Sequence, residues 1–93
     1  MKISQKNKDK ISEQILSYLF SVYPQAKFTS YIAAEIIRDE EFTKKLLLNL
    51  KKKNLVIEIK KNPQGIPYVR RSRWMLGREV YKAYKEHQGF DKL

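Results

Sequence analysis

The sequence predicts an α+β domain: a three-helix core, a β-hairpin and a C-terminal helix. Three observations predict it. Apolar residues recur at helical spacing in three successive segments before Asn54. From Leu55 the period shortens toward alternation, and the residues become β-branched. Asn62-Pro63-Gln64-Gly65 then places asparagine, proline and glycine where a type I turn wants them, and glycine there also suits the bulge of a short hairpin loop. With 93 residues the chain can bury one core but not two. The expected organisation is a flexible N-terminus over residues 1–8, one domain over 9–88 and a C-terminal tail over 89–93 that includes Phe90 and Leu93.

The first helix is expected from about Asp9, a plausible N-cap, to Tyr23, where Pro24 stops it. Ile11, Ile15, Leu19 and Val22 form its apolar side, with Tyr18 beside them. Lys27-Phe28 reads as a stub strand. The second helix is expected from Ser30 to Arg38, capped by Thr29 or Ser30. Ile32, Ile36 and Ile37 are its apolar side, and Ala33 and Ala34 allow close approach of a neighbour. After a turn at Arg38-Asp39-Glu40, Asp39 caps a third helix over Glu40 to Lys53. Glu40 and Glu41 suit the positive end of its dipole. Phe42, Leu46, Leu47 and Leu50 form its buried stripe, and Asn54 ends it because asparagine tolerates the left-handed conformation.

Leu55 to Lys60 is the first hairpin strand and Tyr68 to Trp74 the second. If Asn62 opposes Ile66, Ile59 faces Val69 as a buried pair and Glu58 faces Arg70 as an opposite-charge pair. The same register puts Arg71 and Arg73 on the inward face, which requires either that the strand leaves the sheet by Arg71 or that a bulge changes the parity. Trp74, at the strand end, is expected in the core. The last helix is expected over Leu76 to Gln88. Its apolar residues Val80, Tyr81 and Tyr84 exceed the needs of one small core and suggest a homodimer interface.

The charge is localised. The chain carries 20 Lys and Arg against 10 Asp and Glu, a net +10. Between Lys44 and Arg73 stand ten bases and one acid, Glu58, a net +9. Such a surface attracts a polyanion by steering and counterion release. Catalytic arrangements are not found. There is no cysteine, the three glycines are scattered rather than gathered in a phosphate loop, and one histidine, His87, builds neither a zinc site nor a triad on its own. The carboxylates at Asp39, Glu40 and Glu41 are explained by helix capping. No enzyme activity, metal, cofactor or small-molecule ligand is expected. No apolar run is long enough to span a membrane, and the N-terminal residues lack the apolar stretch of a signal peptide. The expected location is intracellular: the cytoplasm, or the host cytoplasm for a viral protein.

Helix, turn and helix followed at once by a β-hairpin resembles the winged helix-turn-helix domain. Leu47-Leu48-Asn49-Leu50-Lys51-Lys52-Lys53-Asn54-Leu55-Val56 is similar to the end of the recognition helix and the start of the wing in MarR-like and other prokaryotic winged-helix regulators. The usual pattern is leucine, two variable residues, leucine, charged residues, glycine, leucine, then isoleucine or valine. The resemblance covers about residues 9 to 88. Size, lysine, isoleucine and tyrosine content and the absence of cysteine are also similar to winged-helix proteins of archaea and their viruses or plasmids. Asn54 stands where the family has glycine, the turn between the helices has no glycine, and Glu40 and Glu41 open the helix that faces phosphates.

The resemblance implies sequence-specific binding of double-stranded DNA by a transcriptional regulator, with the third helix in the major groove and the hairpin on the backbone or minor groove. Residues expected at DNA are Thr43, Lys44, Lys45, Asn49 and Lys52 on the helix, and Lys60, Lys61, Asn62, Gln64, Arg70, Arg71 and Arg73 on the hairpin. Lysine suits guanine or phosphate, asparagine suits adenine, and the arginine fork suits phosphate, guanine and narrow minor grooves. Glu41 is either a cytosine acceptor or a first-turn acid. Leu48 either meets a thymine methyl or covers a neighbour. Two other functions compete: a protein-interaction module in a transcription or replication complex, and a single-strand or RNA binder using the aromatics. The localised charge disfavours the first, and the lack of a sheet of successive aromatics disfavours the second.

Overall fold

The computed structural model describes residues 4–91, and side chains as far as residue 87. Its elements are α1 (Gln5–Val22), β1 (Lys27–Phe28), α2 (Thr29–Ile36), α3 (Glu40–Lys52), β2 (Val56–Ile59), β3 (Arg73–Leu76) and α4 (Arg78–Asp91). The strands form one antiparallel sheet in the order β1-β3-β2. This is the expected α+β architecture.

Helix α1 begins four residues before Asp9, because Ser4 is the N-cap and its hydroxyl accepts from the Asn7 N–H at 3.2 Å. The segment expected to be a flexible lead is thus helical from Gln5. Phe90 falls within the bounds of α4, and Leu93 lies outside the described residues. Helix α3 matches its expected span within one residue. The Asp39 carboxylate accepts from the Phe42 N–H at 3.0 Å, and Asn54 follows the helix with φ 63°.

Helix α2 departs from expectation at both ends. Thr29 does not cap it: Phe28 is the N-cap residue and makes no side-chain cap bond. At the other end Ile37 takes the left-handed conformation, with φ 55° and ψ 55°, and stands 86% exposed instead of on the apolar side. The tight turn into α3 demands a left-handed residue, and in the absence of glycine an isoleucine supplies it.

The core gathers Ile11, Ile15, Leu16 and Leu19 of α1, Ile32 and Ala33 of α2, Leu46, Leu47 and Leu50 of α3, and Val56, Trp74 and Leu76 of the sheet. Leu76 closes β3 instead of opening α4. Val80, Tyr81 and Tyr84 of α4 pack on this core within the same chain. The Tyr81 ring stacks on Tyr23 with centroids 3.9 Å apart and meets Phe20 at 5.1 Å, and Tyr84 meets Phe20 at 6.0 Å. Phe20 of α1 and Tyr23 just beyond it therefore take up much of the aromatic surface of α4.

The hairpin follows the expected register only at its tip. The Asn62 N–H donates to the Ile66 carbonyl at 2.9 Å, Lys61 pairs with Pro67, and the Tyr68 N–H donates to the Lys60 carbonyl at 2.8 Å. Farther in, Ile59 pairs with Arg73 instead of Val69, and Glu58 with Trp74 instead of Arg70. The difference is four residues, Val69–Ser72, which leave the pairing with β2. An even insertion keeps the parity of the strand. The core therefore takes the face of Val56, Glu58, Trp74 and Leu76, and Ile59 and Arg73 share the opposite face, each only partly covered. Trp74 decides this outcome: burying its large ring outweighs the small apolar pair that the simpler register offered.

Candidate nucleic-acid interface

Helix α3 exposes Glu41, Lys44, Lys45, Leu48, Asn49 and Lys52 while Leu46, Leu47 and Leu50 face inward. The hairpin lies along one flank. Between the two runs a groove of about 420 Å³ walled by Lys44, Lys60, Tyr68, Val69, Arg70 and Arg71, with Glu58 and Ser72 also lining it. A neighbouring pocket of about 220 Å³ is shared by Lys44, Arg70 and Arg71 with Ser30 and Glu40. Lys44 thus stands beside two arginines that follow it by 26 and 27 positions in the chain. On the opposite flank Lys45 and Asn49 share a groove with Gln5, Lys8 and Ser12 of α1.

The excursion of Val69–Ser72 builds the wall of the hairpin side. Its inner end is held: the Ser72 carbonyl accepts from the Thr29 N–H at 3.3 Å, and the Ser72 hydroxyl donates to Glu58 Oε2 at 2.6 Å. Its outer end is open, with Val69 95% exposed. The Arg71 guanidinium lies 5.2 Å from the centre of the Phe28 ring, a cation–π arrangement that steadies the side chain while leaving it exposed.

Glu58 is the local counterweight. Its side chain is 5% exposed, and Oε1 accepts from Lys51 Nζ at 2.8 Å with Lys60 Nζ at 3.9 Å. Burial by itself pushes its carboxyl up. Hydrogen bonds from Lys51 and Ser72, with the charges of Lys51 and Lys60, outweigh burial and hold it below the ordinary value.

Three expected contact residues are withdrawn or engaged elsewhere. Thr43 is fully buried, and its hydroxyl donates to the Asp39 carbonyl at 2.8 Å, so it belongs to the base of the turn and not to the outer face of α3. Asn62 uses its side-chain oxygen to accept from the N–H groups of Gln64 and Ile66, at 3.0 and 2.9 Å, and so shapes the tip. Arg73 is half-buried: its Nη2 donates to the Lys61 carbonyl at 3.2 Å and its guanidinium lies 5.7 Å from the centre of the Tyr68 ring. Lys44, Lys45, Asn49, Lys52, Lys60, Lys61, Gln64, Arg70 and Arg71 are all exposed. Arg70 is not drawn to Glu58, because the excursion carries it out of register with β2. Sequence reasoning missed Ser72 and Phe28 as the residues that set the arginines in place. A serine among arginines carries no mark of its distant partner.

The arrangement of four helices and a three-stranded sheet with a projecting hairpin is the winged helix-turn-helix fold. No protein-family model matches the chain, and no curated protein matches it in sequence. Solved structures do. The Staphylococcus aureus MepR–DNA complex matches with a TM-score of 0.73 at 22% identity, over 94% of this chain and 69% of that one. A MarR family transcriptional regulator from Silicibacter pomeroyi matches with a TM-score of 0.67 at 16% identity, over 94% of this chain and 54% of that one. The Zalpha domain of Carassius auratus PKZ, solved with Z-DNA, matches with a TM-score of 0.60 at 21% identity, over 76% of this chain and 98% of that one. The chain spans only 50% of the length of a mutant MepR that it also matches. The likeness is one of fold, shared by MarR-family regulators and a Zalpha domain alike.

Proposed function

We propose that this chain binds double-stranded DNA sequence-specifically as a transcriptional regulator, with α3 in the major groove and the hairpin on the flanking backbone or minor groove. One observation carries the reading: the bases Lys44, Lys60, Arg70 and Arg71, from separate parts of the chain, line one groove beside the exposed face of α3. An α-helix fits the major groove, and the cations that flank it then meet phosphate. On this reading Lys44, Lys45, Asn49 and Lys52 face bases and the near backbone. Lys60, Lys61, Gln64, Arg70 and Arg71 hold the strand on the hairpin side. Neighbours of the same fold were solved as complexes with DNA and with Z-DNA, which supports nucleic acid as the partner. Among the described residues no helix is long and apolar enough to cross a membrane, and no group of three or more His, Cys, Asp or Glu is placed to hold a metal ion.

A homodimer belongs to the same reading. Because Tyr81 is stacked within its own chain, a second copy would use the outer side of α4, where Ala83, Tyr84 and His87 line a shallow depression of about 220 Å³. Light scattering at high micromolar concentration tests this part: a mass of 11.1 kDa would retire the dimer without touching the DNA reading.

The function is tested by fluorescence anisotropy against duplex DNA, single-stranded DNA and duplex RNA across a salt series. Duplex DNA is expected to bind tightest, with log K falling steeply against log salt at about −0.9 per phosphate neutralised. Weak binding to all three at low salt would overturn the reading.

A further inference from the structure

We propose that Glu58 is the positioning residue of the DNA-facing surface: it ties α3 to the Val69–Ser72 excursion and so sets where Arg70 and Arg71 stand relative to Lys44. The proposal rests on reading this surface as a duplex-DNA interface.

Glu58 is the one acid between Lys44 and Arg73. It sits on the core side of β2, opposite Trp74, with its side chain almost wholly covered. A carboxylate is costly to bury unless its lone pairs are satisfied. Here they are satisfied from separate elements: Lys51 of α3 at 2.8 Å, and Ser72 at the end of the excursion at 2.6 Å. Lys60 lies at 3.9 Å on the hairpin arm. One carboxylate is therefore hydrogen-bonded to both α3 and the excursion. The excursion has no ladder pairing with β2, so its position depends on its anchors. Ser72 is held from two sides, by Glu58 and by the Thr29 N–H. Arg70 and Arg71 follow from where Ser72 is placed.

The positioning role and simple charge make opposite predictions. An acid beneath a basic surface weakens its attraction for a polyanion, so by charge alone removing Glu58 tightens every complex. By positioning, removing it frees the arginines from the spacing that a particular DNA site requires. Preorganisation is then lost for that site and not for bulk phosphate.

The test compares wild type, Glu58→Gln and Ser72→Ala on two duplexes: one selected from a random pool for tight binding, and one of random sequence. Amide exchange at residues 70–72 is read in the free proteins. Glu58→Gln is expected to weaken the selected duplex by about fivefold while the random duplex binds as well or better, on the scale of the net contribution of one ordinary hydrogen bond. Ser72→Ala leaves every charge in place and keeps the test open should Glu58→Gln fold poorly. It is expected to lower the selected-to-random ratio in the same direction, with faster exchange at 70–72. Equal tightening of both duplexes by Glu58→Gln, or unchanged exchange and ratio in Ser72→Ala, overturns the positioning role while the DNA reading stands. A wild type that prefers no duplex overturns both.

Discussion

The Trp74 indole N–H donates to the Thr29 hydroxyl at 2.8 Å, with both side chains buried and 45 positions apart in the chain. This bond joins the start of α2 to β3 beneath the hairpin. Thr29→Val keeps the shape and leaves the indole N–H buried without an acceptor, so unfolding in urea is expected to show a loss of about 1–3 kcal/mol. Thr29→Ser, which retains the hydroxyl, is expected to lose less. Equal losses in the two variants would show that the methyl group matters and the hydrogen bond does not.

Ile37 holds φ 55° with most of its surface in water. A β-branched residue in the left-handed region costs about 1–2 kcal/mol relative to glycine, and glycine returns part of that as unfolded-state entropy. Ile37→Gly is expected to stabilise the protein by up to about 1 kcal/mol, and Ile37→Asn by a similar amount, since asparagine tolerates this region. A lower melting temperature in both variants would mean that the Ile37 side chain contributes more than its exposure indicates.

Glu58 predicts a pH dependence of known sign. Burial opposes its charge, but Lys51, Ser72 and Lys60 hold its carboxyl below the ordinary value of 4.5. A depressed carboxyl contributes stability that is present above the unfolded pKa and is lost as pH falls through the folded one. The stability gap between wild type and Glu58→Gln is therefore expected to be full near neutral pH and to shrink below about pH 4.5. A gap that stays constant down to about pH 3 would show that the carboxylate gains nothing from being charged.

Lys44 and Thr43 are neighbours in sequence with opposite expected effects. Lys44 lines the groove with Arg70 and Arg71, whereas Thr43 is sealed in the core with its hydroxyl on the Asp39 carbonyl. Lys44→Ala is expected to reduce the salt slope of duplex binding by about 0.9, one phosphate, at little cost in stability. Thr43→Val is expected to leave the slope unchanged and to lower stability by about 1 kcal/mol. A slope lowered by Thr43→Val would put that residue back at the interface.

Local chemistry made much of this protein legible in its sequence. Capping by Asp39, the left-handed stop at Asn54, the Asn62–Gly65 turn and the leucine stripe of α3 each depend on residues within a few positions of one another. The concentration of charge between Lys44 and Arg73 was likewise plain in the order of residues. Only the tertiary structure decided the hairpin register, the turn residue at Ile37 and the use of Thr43, Asn62 and Arg73. The register was settled by Trp74, whose burial in the core beside Thr29 outweighs the local pairing of Ile59 with Val69 and expels four residues from the pairing with β2. That expulsion sets Arg70 and Arg71 beside Lys44 and gives Glu58 its partners in Lys51 and Ser72. Periodicity and turn rules describe neighbours along the chain. Which face of a strand is buried, and which cations share a groove, follows from the competition of whole side chains for one small core.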